Sequence, residues 1–400
     1  MRTERGASFY HILPVFLVVF FSLYSFPLSI CLVVELAVCL FMLPAPSLAA
    51  YGNKTVRSII ISAVLLGTYT VFICLINTSD SLYAIGKPLR FVFTLVVFAY
   101  LSTRFAKYNI KEIVTALVLA LLIHLAFVYL EFFIPSLKTV IFSYLNTEKN
   151  DIVNLPLRAF GLCSSFDGAG LALCVLQALL WMLTLQKKSA LLFTLCILSY
   201  VGCFMVSRTS MLVSTIFMVL ILISFVRKNK KFLFFFIVPV FIIVGLYVYD
   251  LAKDILSDSI IEQSYRMESS EKLTGEMLYL PDSIFGTLFG TGDRSEFSDI
   301  GYVNQIFMVG IWGMLWILSI YYQTYYAVRQ RKYQYKYESW FLIIMLGLLL
   351  AFNYKLSFLY SRSVSDVYFL LVFIMLRKAP GAKLTLDNAK SSCNRKVQMQ

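Results

Sequence analysis

The residues that could do chemistry in this chain are four arginines and two aspartates in polar stretches between apolar runs. Arg158 stands in LPLRAFGLCSSFDGAG, Arg208 in MVSRTSML, Arg266 in IIEQSYRM and Arg294 in GTGDRSEFSDIGYVNQ. Guanidinium groups keep their charge at every physiological pH and grip phosphate oxygens two at a time. Asp167 lies in FDGAG and Asp299 in SDIGY, with Tyr302 beside it. A carboxylate so placed could take the proton of an attacking hydroxyl. Each residue also has a plainer reading. Ser298, Asp299 and Asp167 suit helix caps, and Arg208 suits a side chain that snorkels to lipid headgroups. The G-T-G at 290–292 does not extend to G-x-G-x-x-G and follows no strand, so it is no dinucleotide fingerprint. No metal-ligand spacing and no D-x-D pair occurs, so the reading includes neither metal nor cofactor.

The elements that hold these residues follow from composition. Hydrophobic residues make up 60% of the 400 and charged residues 14%, and the mean hydropathy is +0.79. Surface-to-volume scaling leaves a water-soluble fold too little interior for that much apolar surface. The expectation is an all-α, polytopic helical membrane protein of about twelve spans, each about 20 residues long. The apolar runs place them near 10–26, 28–44, 57–76, 85–101, 113–133, 168–186, 189–206, 210–226, 232–249, 303–322, 339–353 and 364–376. The N-terminal run is too long for a cleaved signal peptide and reads as the first anchor.

Net charge is +13, and its distribution decides its meaning. Most of the bases fall in alternate connections: Lys54 and Arg57, Arg104 to Lys111, Lys187 and Lys188, Arg227 to Lys231, Arg329 to Lys336, and the tail after Arg377. That alternation is the positive-inside pattern. It puts both termini in the cytoplasm and makes the surplus charge a topology signal, with no nucleic-acid partner and with membrane lipids as the anionic surroundings. The aromatic and basic stretch 321–340 is an interface belt on the same reasoning.

Two outer segments break the run of short connections, one at about 135–167 and a large one at 250–302. Loops beyond about 12–15 residues are usually functional or disordered. The large loop keeps apolar runs, a helical pattern over 250–267 and IFGTLFGTG at 284–292. The last could dip back toward the membrane where protein covers its backbone. The chain thus divides into nine spans with the first outer loop (1–249), the large outer loop (250–302), three further spans (303–376) and a disordered tail (377–400). Glu35 reads as structural and His124 as packed between helices, and Glu131 reads blandly too, with pairing to an outer arginine as its sharper alternative.

Arginines gathered at a membrane surface suit the diphosphate headgroup of a lipid-linked substrate. In glycosyl transfer from a polyprenyl diphosphate, negative charge develops on the leaving group, and fixed cations stabilise it in the transition state. R-A-F-G at 158–161, V-S-R-T-S at 206–210, a large late outer loop with Arg266, and the ordered G-T-G, S-D-I-G-Y and G-I-W-G between Gly290 and Gly313 resemble the O-antigen polymerase family. The resemblance covers roughly 155–320 as motifs. It implies an inner-membrane enzyme that joins undecaprenyl-diphosphate-linked repeat units on the periplasmic face, alongside a flippase and a chain-length regulator. It also implies that Arg158, Arg208, Arg266 and Arg294 contact diphosphate and glycan. Asp299 with Tyr302 would activate a hydroxyl or bind sugar, with Asp167 as the weaker alternative. The O-antigen ligase resembles the polymerase in topology, but such ligases carry a histidine in the large outer loop and this chain has none there. A lipid-linked oligosaccharide flippase would instead need charged groups along its spans.

Overall fold

The computed structural model describes residues 12–20, 24–25, 28–29, 53–77, 82–106, 108–145, 158–163, 165–186, 189–226, 278–293, 298, 300–333, 335–354, 359 and 364–378. These form α1 (Leu13–Phe20), a two-residue ladder of β1 (Tyr24–Ser25) and β2 (Leu28–Ser29), α2 (Lys54–Ile76), α3 (Leu82–Phe105), α4 (Ile110–Phe133) and α5 (Pro135–Leu145). Then come α6 (Phe166–Gln186), α7 (Ala190–Val206), α8 (Arg208–Val226), α9 (Ile284–Phe289), α10 (Gly301–Gln330), α11 (Lys336–Phe352) and α12 (Val364–Arg377). By length and apolar composition α2, α4, α6 and α10 can each cross a membrane, and α7 and most of α8 are shorter apolar helices. The protein is helical and membrane-embedded in character.

The helices begin where short polar side chains answer the first free N–H groups. Asn53 accepts from Thr55 N and Val56 N at the head of α2. At α4, Asn109 accepts from Lys111 N and Glu112 reaches back to Asn109 N at 3.0 Å, a capping box. Ser189 accepts from Leu192 N at the head of α7. The expected spans from 57–76 through 210–226, and the three after 303, fall on helices. Tyr24–Ser25 and Leu28–Ser29 depart from the helical expectation, since Tyr24 pairs with Ser29 and Ser25 with Leu28. Pro27 sits between them, and proline has no N–H to continue a helix and disfavours helical backbone before it. The expected span at 232–249, the 250–267 helix and the tail after Lys378 lie outside the described residues.

Buried α6 is the pillar of one half: it packs against α4, α7, α8 and α11. In the other half α2 packs on α3 and α10, α3 on α12, and α9 on α10, while α11 touches α10 and α12 and links the halves. Segments expected on one side of the membrane gather at one end. Leu376 O accepts from Asn53 Nδ2 (3.1 Å) and Arg331 Nη2 (3.2 Å), and Lys378 Nζ donates to Tyr108 O (2.6 Å). Residues 158–167 meet the opposite ends of α4 and α6.

The stretch IFGTLFGTG packs against α10. Its short helix α9 is followed by Gly290 at φ 93 and abuts Gly310, where α10 breaks at φ 69. A side chain at Gly310 would strike the backbone of Leu288 and one at Gly290 would strike Gly310 N, so only glycine fits at either position. The freed carbonyls are answered by protein. Tyr69 Oη donates to Phe289 O (2.8 Å) and Val309 O (3.2 Å), Asn77 Nδ2 to Gly290 O (3.3 Å), and Thr291 N to Phe307 O (2.7 Å). In an apolar medium such irregular backbone survives only when covered in this way.

Arg90 of α3 and Asp366 of α12 form a buried ion pair at 2.8 Å. Removing one partner strands a buried charge, at a cost of about 3–5 kcal/mol, whereas replacing both with apolar residues is often neutral. Arg90→Met should therefore lower the melting temperature of the detergent-solubilised protein sharply. Arg90→Met with Asp366→Leu should recover most of the loss, and equal melting of single and double variants would contradict this.

Candidate functional site

The site grows from one face of α4. His124 and Glu131 lie two helical turns apart and point the same way, toward the turn at 158–163. Glu131 Oε2 accepts from Phe160 N (2.6 Å) and Gly161 N (2.9 Å), and His124 Nδ1 accepts from Leu162 N (3.1 Å). The other ring nitrogen, Nε2, faces Ala169 O at 3.4 Å, so the ring carries its proton there. Three successive N–H groups are thereby held by α4. Gly161 sits at φ +58, and a Cβ there would come within 2.6 Å of the His124 ring, so the R-A-F-G turn needs its glycine for both conformation and space.

The turn delivers its side chains to the head of α6. Phe160 and Phe166 stack at 3.9 Å between centroids. The Arg158 guanidinium stands 5.3 Å over Phe166 and the Lys138 ammonium 5.7 Å over Phe160, so two cations flank one aromatic pair. Lys138, from α5, is buried, and that burial pushes its ammonium below the ordinary lysine range while the Glu131 carboxylate pulls it back up. Cys163 is also buried, and burial, with Glu131 adding to it, pushes its thiol up to about 12. That leaves no thiolate for nucleophilic chemistry at neutral pH.

The V-S-R-T-S turn closes the corner. Ala159 N donates to Met205 O at 2.9 Å, tying the arginine turn to the end of α7. Ser207 alone separates α7 from α8, a shorter turn than the sequence suggests, and its Oγ accepts from Ser210 N. A Cβ at Gly170 would lie 2.7–2.9 Å from atoms of Ser207 and Ser210. F-D-G-A-G therefore brings the backbone of α6 against the start of α8. Arg208 is the first residue of α8, and its position there aims the helix N-terminus and its backbone N–H groups at the same corner.

Three of the sequence motifs thus converge: R-A-F-G, F-D-G-A-G and V-S-R-T-S. Asp167 lies in the first turn of α6, half-buried, but the cap hydrogen bond belongs to Ser165, whose Oγ accepts from Gly168 N at 3.0 Å. The capping expected of Asp167 is corrected accordingly, because Ser165 and not Asp167 precedes the helix. Tyr302 is half-buried in a separate joint, its hydroxyl donating to Leu350 O of α11 at 2.8 Å. Nearby, Ser298 Oγ accepts from Ile300 N. Arg266, Arg294, Asp299 and the Arg208 side chain lie outside the described residues. Glu131 answers backbone N–H groups where the sequence suggests an arginine partner. Lys138 is a cation that sequence reasoning passed over, and its one signal is a lysine amid an apolar stretch after Pro135.

Chemically, the corner offers an oxyanion two side-chain cations, an aromatic wall and the head of a helix. Its weak point is the clamp. Glu131→Ala leaves two buried N–H groups without an acceptor, each costing about 1–3 kcal/mol. Glu131→Gln keeps an oxygen there and should destabilise less. Gly161→Ala should cost about 1–3 kcal/mol through its positive φ and the contact with His124. Thermal unfolding of purified variants checks the order, and a Gln variant as unstable as Ala would show that the charge and not the acceptor matters.

Comparison of the chain with protein-family models, with curated proteins and with solved structures gives no match in any of the three.

Proposed function

We propose that this chain is an inner-membrane polymerase of the O-antigen type, with about twelve spans, both termini in the cytoplasm and its reactive corner at the periplasmic face. It joins undecaprenyl-diphosphate-linked oligosaccharide repeat units into O-antigen or a related surface polysaccharide. The observation that carries this reading is the meeting of R-A-F-G, F-D-G-A-G and V-S-R-T-S at one corner, with Arg158 and Lys138 poised over the Phe166 and Phe160 rings.

In the reaction, a hydroxyl of the incoming lipid-linked unit attacks the anomeric carbon of the growing chain. The bond to the carrier diphosphate breaks, and the electron pair leaves with that diphosphate. Arg158 and Arg208 hold the departing oxyanion, where bidentate cations act most strongly on the charge that develops. Arg266 and Arg294 supply further diphosphate and glycan contacts from the large loop. Asp299 takes the hydroxyl proton, with Asp167, which lies in the corner itself, as the alternative acceptor. The carboxylate clamp on 160–161 supports this scheme, because an arginine acting by geometry needs a rigid backbone beneath it.

Arg158→Ala and Arg208→Ala should leave the protein inserted in the membrane but abolish polymer ladders on gels of cell-surface glycan, leaving single repeat units. Arg208→Lys should recover little, since an ammonium lacks the planar fork. Unchanged chain lengths in both alanine variants would remove the site. In a deletion strain, single units should accumulate on the periplasmic face, and cytoplasmic accumulation would point to a flippase instead.

A further inference from the structure

The approach to α10 is held by one carboxamide. Asn304 Nδ2 donates to Ser298 O at 2.7 Å and to Ile300 O at 3.2 Å. Ser298 Oγ in turn accepts from Ile300 N at 3.1 Å. In sequence these atoms bracket Asp299, since Ser298 O belongs to the peptide group that enters it and Ile300 N to the one that leaves it. Ser298, Ile300 and Asn304 are all buried, so water does not compete for these bonds.

The grip has a cost. Asn304 Oδ1 is buried and has no hydrogen-bond partner among the described residues. Turning the carboxamide over would answer nothing, because its oxygen would then face two carbonyls and both donations would be lost. A buried orphan of this kind calls for a reason, and a neighbouring catalytic group is one.

The frame behind the carboxamide is fixed as well. Gln305 and Asn353 exchange hydrogen bonds at 3.2 and 3.4 Å, and Asn353 Oδ1 also takes Leu359 N at 3.1 Å. With the Tyr302 hydroxyl on Leu350 O, these bonds tie the head of α10 to the end of α11, which packs on α6. Arg331 after α10, Gln186 of α6 and Tyr337 of α11 all lie at the basic end of the bundle. The heads of α10 and α6 and the last turn of α11 therefore share the opposite end, where the arginine corner stands.

We propose that Asn304 is a positioning residue for Asp299: its carboxamide grips the backbone on both sides of that residue and so sets where the hydroxyl proton is received. The inference rests on the polymerase reading, in which Asp299 is the proton acceptor. Asn304 itself touches no substrate.

The test is steady-state polymerisation by the purified full chain, supplied with lipid-linked single repeat units extracted from the deletion strain. Asn304→Ala should lower kcat roughly 10–100-fold with KM almost unchanged, the scale expected when a reacting group is displaced by about 1 Å. Asn304→Leu keeps the volume, removes both donations and should behave alike. Thermal unfolding and gel filtration verify that each variant is folded. In an Asp299→Asn background the same changes should cost little more, because a residue that acts through another then has nothing left to position. Normal kcat in a folded Asn304 variant, a loss carried by KM alone, or an equal further loss in the Asp299→Asn background would overturn the proposal and leave the polymerase reading standing. Failure of both Asn304 variants to fold would make the residue structural and overturn it too. Full polymerisation by Asp299→Asn alone, or none by the wild type, would instead remove the reading beneath it, and the proposal with it.

Discussion

An N–H or C=O group buried in an apolar environment must be paired, and the structure depends on how this chain meets that requirement where its backbone is not helical. The long apolar helices satisfy themselves. The difficulty falls on the two stretches that leave the helical path while still packed among helices. At 158–163 the answering groups are Glu131 and His124. At 286–310 they are Tyr69, Asn77 and Thr291. In both places a positive-φ glycine makes the bend and a neighbouring helix supplies the partners. A carboxylate that would be costly alone within the bundle is made tenable by two short hydrogen bonds from the backbone.

The same requirement explains why the arginine corner is rigid. Arg158 sits on a turn tied to α4 by three hydrogen bonds and to α7 by a fourth, from Ala159 N to Met205 O. Its guanidinium is set against Phe166 at the head of α6, the most buried of the four span-length helices. Positional precision at a loop arginine is thus inherited from a well-buried helix of the bundle. Gly170, by admitting Ser207 and Ser210 against its backbone, lets the start of α8 join that corner.

Charge is divided between the two ends of the bundle. One end gathers lysines and arginines that cap α12, beside an apolar slot. At the other, among the described residues, Lys138 and Arg158 are held against aromatic rings. The buried Arg90–Asp366 pair joins α3 to the first turn of α12.

Composition and hydropathy by themselves determined that the chain is helical and membrane-embedded, and they located α2 to α4, α6 to α8, α11 and α12 to within a few residues, whereas α10 runs on to Gln330, past the expected end at 322. A span is a local property of about 20 apolar residues. Charge alternation likewise marked which connections meet at the basic end, since each connection carries its own lysines and arginines. The motifs at 158, 167 and 208 were legible as separate strings. What the tertiary structure decided is which strings meet and what each side chain is for. Glu131 and His124 became a backbone clamp, Lys138 joined Arg158, Tyr302 was committed to α11, and Ser165 displaced Asp167 as a cap. The Arg90–Asp366 pair and the apolar slot left no trace in any single segment. Their residues lie far apart in sequence, and burial, hydrogen-bond partners and cavities exist only once separate helices have packed.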